Sequence, residues 1–222
     1  MPFGFMKGSF FLPPRFSALP MPRSFPHMEV PPSRYDPWAT QLTALWADMD
    51  GGYTAAAEQY GFECRGCADN CCQTRFYHHT LLEYLYLLKG YQQLDSGLQK
   101  ELRQRAQVVS AYQARADRDV RHDDHMCPLN MGGYCRLYAQ RPMICRLHGL
   151  PHELHPGNGR VVRGPGCSRF AEQCGERPYV LLDRTPFYAR MAELEKGLRQ
   201  ATGYRLKIKM TVAEMVSGFR DR

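Results

Sequence analysis

Cys64-Arg65-Gly66-Cys67-Ala68-Asp69-Asn70-Cys71-Cys72 is the stretch on which the reading of this chain turns. A second, looser set follows: Cys127-Pro-Leu-Asn-Met-Gly-Gly-Tyr-Cys135, then Cys145 in Arg141-Pro142-Met143-Ile144-Cys145-Arg146, then Cys167 after Gly164-Pro165-Gly166. Cys174 is the ninth cysteine. Cys-x2-Cys bends the backbone so that both sulfurs can meet one soft ion. Cys64 and Cys67 fit that spacing, and Gly66 supplies a permissive residue between them. Neighbouring side chains point apart, so Cys71 and Cys72 are suited to different metals, or to different irons of one cluster. Neither segment closes a site for all its own sulfurs. A metal should therefore clip residues 64–72 to residues 127–167.

Working outward from the cysteines, the flanking sequence is helical. Asp36-Pro37-Trp38 reads as a helix start, and Trp38, Leu42, Leu45, Trp46 and Met49 share one helical face. Gly51-Gly52 is expected to stop that helix, with a short second one over 54–60 ending at Gly61. Thr80-Leu-Leu-Glu83 is a capping-box signature for a helix that stops near Gly90. Ser96-Gly-Leu-Gln99 is a similar signature before a long amphipathic helix. Leu98, Leu102, Val109, Tyr112, Ala116 and Val120 form its apolar side, and Lys100, Arg103, Arg105 and Arg115 its solvated side. Residues 127–174 read as loop-rich, with one small hairpin turning at Pro156-Gly-Asn-Gly159. Thr185-Pro186 and Thr211-Val-Ala-Glu214 open two further helices. The expected fold class is mainly α: a helical domain whose two irregular cysteine-rich segments are brought together by metal, plus one small β-hairpin.

Residues 1–37 hold nine of the sixteen prolines and show no helical or strand period. They are expected to be a flexible, dispensable Pro/Phe-rich leader. Residues 38–222 then form a single helical metal-binding domain with its cysteine-cluster region at about 60–175. No apolar stretch is long enough to cross a bilayer, and the first residues do not resemble an export signal. That points to the cytoplasm, where clustered cysteines stay reduced and serve as ligands rather than disulfides. The formal charge of +7 admits a nucleic-acid partner. Arg65, Arg136, Arg141, Arg146, Arg163 and Arg169 lie close in sequence to the thiolates and offer a simpler use for it. Eight thiolates on two divalent ions would leave about −4 to be offset.

The ordered set Cys64-x2-Cys67-x3-Cys71-Cys72, Cys127-Pro-Leu, Gly133-Tyr-Cys135-Arg-Leu-Tyr138, Arg141-Pro142-x2-Cys145-Arg146 and Cys167 resembles the YkgJ-like cysteine-cluster family of zinc- or iron-chelating domains. The resemblance spans residues 60–170. It implies that Cys64, Cys67, Cys71, Cys72, Cys127, Cys135, Cys145 and Cys167 are the metal ligands, with Zn2+ or iron, including a [4Fe-4S] cluster, as the cofactor. Cys174 falls outside the pattern. Thiolate donors suit zinc, copper(I) or iron–sulfur chemistry rather than magnesium or calcium.

Three functions follow as expectations. The first is metal binding through the clustered thiolates. The second is an iron–sulfur or metal-dependent protein-modifying enzyme, since flagellin lysine N-methylases look similar in carrying a related cluster. The third is a nucleic-acid-binding zinc module, suggested by the charge alone. Tyr138, Arg141 and Arg146 are placed to tune the thiolates. His78, His79 and His148 lie near enough in sequence to replace a sulfur.

Overall fold

Trp46, Leu42, Leu45 and Met49 are buried, and with half-buried Trp38 they mark the inner face of helix α1, Pro32–Tyr60. The computed structural model describes residues 32–64, 71–115, 125–157 and 159–220. The expected leader therefore lies outside the described residues up to 31, and α1 takes in residues 32–37. Asp36 sits inside the helix instead of capping it, and pairs with Lys89 at 3.0 Å.

The expected break at Gly51-Gly52 does not occur, because α1 runs through both glycines. Helix propensity charges each glycine roughly 1 kcal/mol against alanine, and packing outweighs that here. The α1 helix lies along a later helix whose Phe187 ring would come within 3.3 Å of a Cβ built on Gly52.

Helix α2, Leu81–Tyr91, starts as its sequence dictates: the Thr80 hydroxyl accepts from Glu83 N–H at 3.1 Å. Helix α3, Ser96–Arg115, is capped one residue earlier than expected, by Asp95, whose Oδ1 accepts from Leu98 N–H at 2.8 Å. A carboxylate at that position satisfies an orphan amide more strongly than the Ser96 hydroxyl would. The extension of this helix to Ala116 and Val120 lies outside the described residues.

The chain next forms a two-residue hairpin, β1 (Asn130–Met131) with β2 (Tyr134–Cys135). Helix α4, Met143–Leu147, follows Pro142. A second hairpin pairs β3, Pro151–Leu154, with β4, Val162–Pro165, around the turn foreseen at 156–159. Helices α5 (Ser168–Cys174), α6 (Thr185–Thr202) and α7 (Val212–Ser217) complete the chain. Thr211 makes a full capping box with Glu214, and Gly203 ends α6 at φ 72°. The described part is mainly α, with two small antiparallel strand pairs.

The main core is filled by α1, α2, α3, α6 and α7 through residues such as Leu45, Leu81, Leu102, Leu198 and Met215. A smaller core joins the end of α1 to α5, where the Tyr60 ring meets Phe170 edge-on at 4.7 Å. The cysteine-bearing segments lie on the margins of these two cores. Cys127 and Cys135 pack on the main core, and Cys167 and Cys174 on the smaller one.

Candidate metal centre

Gly132 and Gly133 take φ values of 62° and 87°, the left-handed pair that a two-residue hairpin requires. This turn reverses the chain between Cys127 and Cys135. Asn130 N–H donates to Cys127 O at 2.9 Å, Arg136 N–H to Leu129 O at 2.8 Å, and Gly133 N–H to the Asn130 side chain at 3.1 Å. Leu129 and Leu137 anchor the hairpin in the main core on either side. The sequence reading passed over this hairpin, although Gly-Gly between Met131 and Tyr134 was the available signal.

Arg105 supports the same hairpin from α3. Its Nε donates to Pro128 O at 3.1 Å and its Nη2 to Asn130 O at 2.7 Å. The sequence placed Arg105 on a solvated helix face, and the structure corrects this. Both carbonyls belong to buried residues of the hairpin segment, and a forked guanidinium reaches both.

Cys72 joins the hairpin by main chain, since Cys127 N–H donates to Cys72 O at 2.7 Å. Cys145 comes from α4, a single short turn held at its start by Glu83, whose Oε1 accepts from Met143 N–H at 2.9 Å. These placements bring Cys72, Cys127, Cys135 and Cys145 together, and every pair among the four thiols interacts electrostatically.

Burial favours the protonated form of three of these thiols. It pushes Cys127 well above its ordinary value, raises Cys135, and takes Cys145 up to about 12, with the neighbouring thiols adding to each rise. Two features work the other way. The backbone N–H groups of Leu129 and Leu137 bond the sulfurs of Cys127 and Cys135, two residues on in each case. Arg141 lies close enough to favour the thiolates of Cys135 and Cys145. Amides and a cation aimed at sulfur stabilise negative charge there once protons have left. Among the described residues, no three cysteine, histidine or acidic side chains converge tightly enough to hold an ion as they stand. The donor set itself suits a soft metal: four sulfurs, low polarity and fixed N–H donors.

The other predicted positions divide differently. Cys167 is half-buried at the start of α5, its sulfur accepting from Phe170 N–H at 3.4 Å. Cys64 is exposed and follows Phe62, whose ring packs on Phe170 at 5.5 Å, so these two cysteines belong to the margin of the smaller core. Cys67 and the side chain of Cys71 lie outside the described residues. Cys174 is buried and its thiol donates to Tyr60 O at 3.5 Å, an ordinary core contact.

Two of the candidate histidines are held by backbone partners. His78 is buried and bonded through its backbone to Met210, and His79 Nδ1 meets Ile208 O at 3.2 Å. His148 meets the Phe76 ring edge-on at 5.2 Å.

Of the three residues expected to tune the thiolates, Arg141 does so. Its guanidinium also lies 3.5 Å from the Tyr138 ring centre, and Tyr138 serves as its platform. Arg146 is instead a strut. It donates to Asp50 at 2.7 Å and to the carbonyls of Arg141 and Ala139, tying α4 to α1. Arg163 and Arg169 pair with Glu153 and Glu172. Much of the basic charge is thus spent on internal contacts, which weakens the argument from charge to nucleic acid.

No helix among the described residues is long and apolar enough to cross a membrane. No curated protein and no solved structure matches the chain. A family model does: CxxCxxCC, described as "Putative zinc- or iron-chelating domain", over residues 63–160. That span includes Cys72, the Cys127–Cys135 hairpin and Cys145. Residues 63–160 of this chain are thus similar to the CxxCxxCC family of zinc- or iron-chelating domains.

Proposed function

We propose that this protein binds zinc or iron through Cys72, Cys127, Cys135 and Cys145, and that the ion fastens the β1–β2 hairpin and α4 to the Cys72 segment. The observation that carries the reading is the mutual interaction of four half-buried cysteines, two of them already bonded by backbone N–H groups. Four clustered thiols contribute little to a fold as they stand. Deprotonated around a divalent ion, they form a closed tetrahedral sulfur site.

The remaining family cysteines, Cys64, Cys67, Cys71 and Cys167, form a second site by this reading. Cys71 and Cys72 then face different centres, as adjacent side chains favour. An all-sulfur centre needs reduced thiols, which places the working protein in a reducing compartment such as the cytoplasm. Both four-sulfur sets are closed, so the metal acts as a staple for one helical domain rather than as an open catalytic ion.

Metal and acid-labile sulfide analysis after anaerobic purification tests this. Stoichiometric zinc without sulfide means simple ions, and iron with sulfide means a cluster. In either case chelation should lower the melting temperature and helical content, because binding energy at such sites is folding energy. Chelation that removes the metal and leaves both unchanged contradicts the proposal.

A further inference from the structure

A cavity of about 1010 Å³ opens between the start of α2 and the outer face of α6. It falls at the top of the size range of ligand pockets, roughly 300–1,000 Å³. Met143, Ile144 and Met191 give it an apolar wall, and Tyr188 and Tyr204 supply aromatic ones. Ala192, Lys196 and Arg205 are exposed, so the cavity is open to solvent along α6.

The charges around it are unequal. Both acids in the wall are already engaged by the fold. Glu195 accepts from the N–H groups of Leu81 at 2.9 Å and Leu82 at 3.1 Å, and pairs with Arg199. Glu83 accepts from the Thr80 hydroxyl at 2.6 Å and from Met143 N–H at 2.9 Å. The bases are less committed. Lys196 and Arg205 make no ion pair among the described residues, whereas Arg199 is held by Glu195 and by the Leu206 carbonyl at 2.8 Å. An apolar and aromatic interior under a basic rim favours a molecule that is apolar at one end and anionic at the other.

We infer that this cavity is a binding site for a small amphipathic anion, an apolar or aromatic body carrying a carboxylate, sulfonate or phosphate. The body lies against Met143, Ile144 and Met191, and the head meets Lys196 and Arg205. The site is separate from the thiol group and does not depend on a metal, although Ile144 is followed directly by Cys145. A bound molecule would therefore rest against the turn that carries one of the proposed ligands.

Fluorescence titration of the full chain with anilinonaphthalene sulfonate is the direct test, with uncharged phenylnaphthylamine as its partner probe. The sulfonate should saturate at one per chain. Lys196→Glu with Arg205→Glu should weaken it by about tenfold, the effect of reversing two partly exposed charges, and leave the uncharged probe nearly unchanged. Ala192→Trp, at an exposed helix position, should abolish binding of both probes with the melting temperature unaltered. Equal weakening of both probes by the charge reversal, or full binding to Ala192→Trp, overturns the inference. So does an absence of saturable binding to the full chain. Binding seen only after removal of residues 1–31 overturns it too, and makes the chain's own N-terminal segment the occupant.

Discussion

The backbone N–H of Cys127 donates to the carbonyl of Cys72 at 2.7 Å, so the two cysteine segments are joined by main chain before any ion is involved. That bond sets the Cys72 backbone against the start of the hairpin segment. It also means that loss of the metal should loosen a docked arrangement rather than erase it.

Arg105→Met should destabilise the hairpin. The change keeps the apolar stem and removes the donors to Pro128 O and Asn130 O, both on buried residues. Losing charge-assisted bonds to two such carbonyls should cost about 2–3 kcal/mol. A lower melting temperature together with weaker metal binding is expected. An unchanged melting temperature would show that the guanidinium is not what holds the turn.

Gly51→Ala should stabilise the protein by about 0.5–1 kcal/mol. Gly51 lies inside α1, exposed, and a Cβ added there meets nothing within 4 Å. Chemical denaturation reads the difference directly. Destabilisation would mean that the helix breaks at Gly51-Gly52, as the sequence alone suggested.

Cys145→Ser and Cys135→Ser should each reduce bound metal strongly, and Cys174→Ser should not. A serine hydroxyl is a poor substitute for a thiolate at a soft ion. The Cys174 thiol instead contacts the Tyr60 carbonyl within the smaller core. Metal content by elemental analysis distinguishes these cases, and equal losses in all three variants would disprove the assignment.

His78 gives the protein a dependence on pH. Its imidazole is held neutral because burial lowers its pKa, and the Glu83 carboxylate 3.9 Å away opposes that only in part. In the unfolded chain the ring takes up a proton near its ordinary value of about 6.5. Below that pH the unfolded state binds more protons than the folded one, and stability falls as pH falls. His78→Gln should flatten the decline in melting temperature between about pH 6.5 and pH 5, where one such group contributes up to about 1.4 kcal/mol per pH unit. Parallel declines in wild type and variant would show that His78 is not the group responsible.

Helix identities and most starts were legible because they depend on local chemistry. Thr80 and Thr211 cap their helices through side-chain bonds written in neighbouring residues. What the sequence hid depended on partners far along the chain. The continuity of α1 through Gly51-Gly52 depends on packing against α6, and Arg105 could not be read as a brace until the hairpin lay beside α3. The eight cysteines were visible as one set, but the grouping of Cys72 with Cys127, Cys135 and Cys145 was not. Cys167 and Cys64 sit by the smaller core because Phe62 and Phe170 meet there, a contact between residues more than a hundred positions apart. The Arg146 strut to Asp50 was equally out of reach, since charge alone does not tell a tuning arginine from a tethering one.

X-ray absorption at the metal edge, on a variant with Cys64, Cys67, Cys71 and Cys167 all changed to serine, tests the central claim most directly. If Cys72, Cys127, Cys135 and Cys145 form a complete site, this variant retains one zinc or iron centre. Its metal should show four sulfur neighbours at about 2.3 Å if it is zinc, and it should lose that metal when Cys127 is also changed to serine. A variant that holds no metal, or a retained metal with oxygen or nitrogen in place of these sulfurs, would contradict the account.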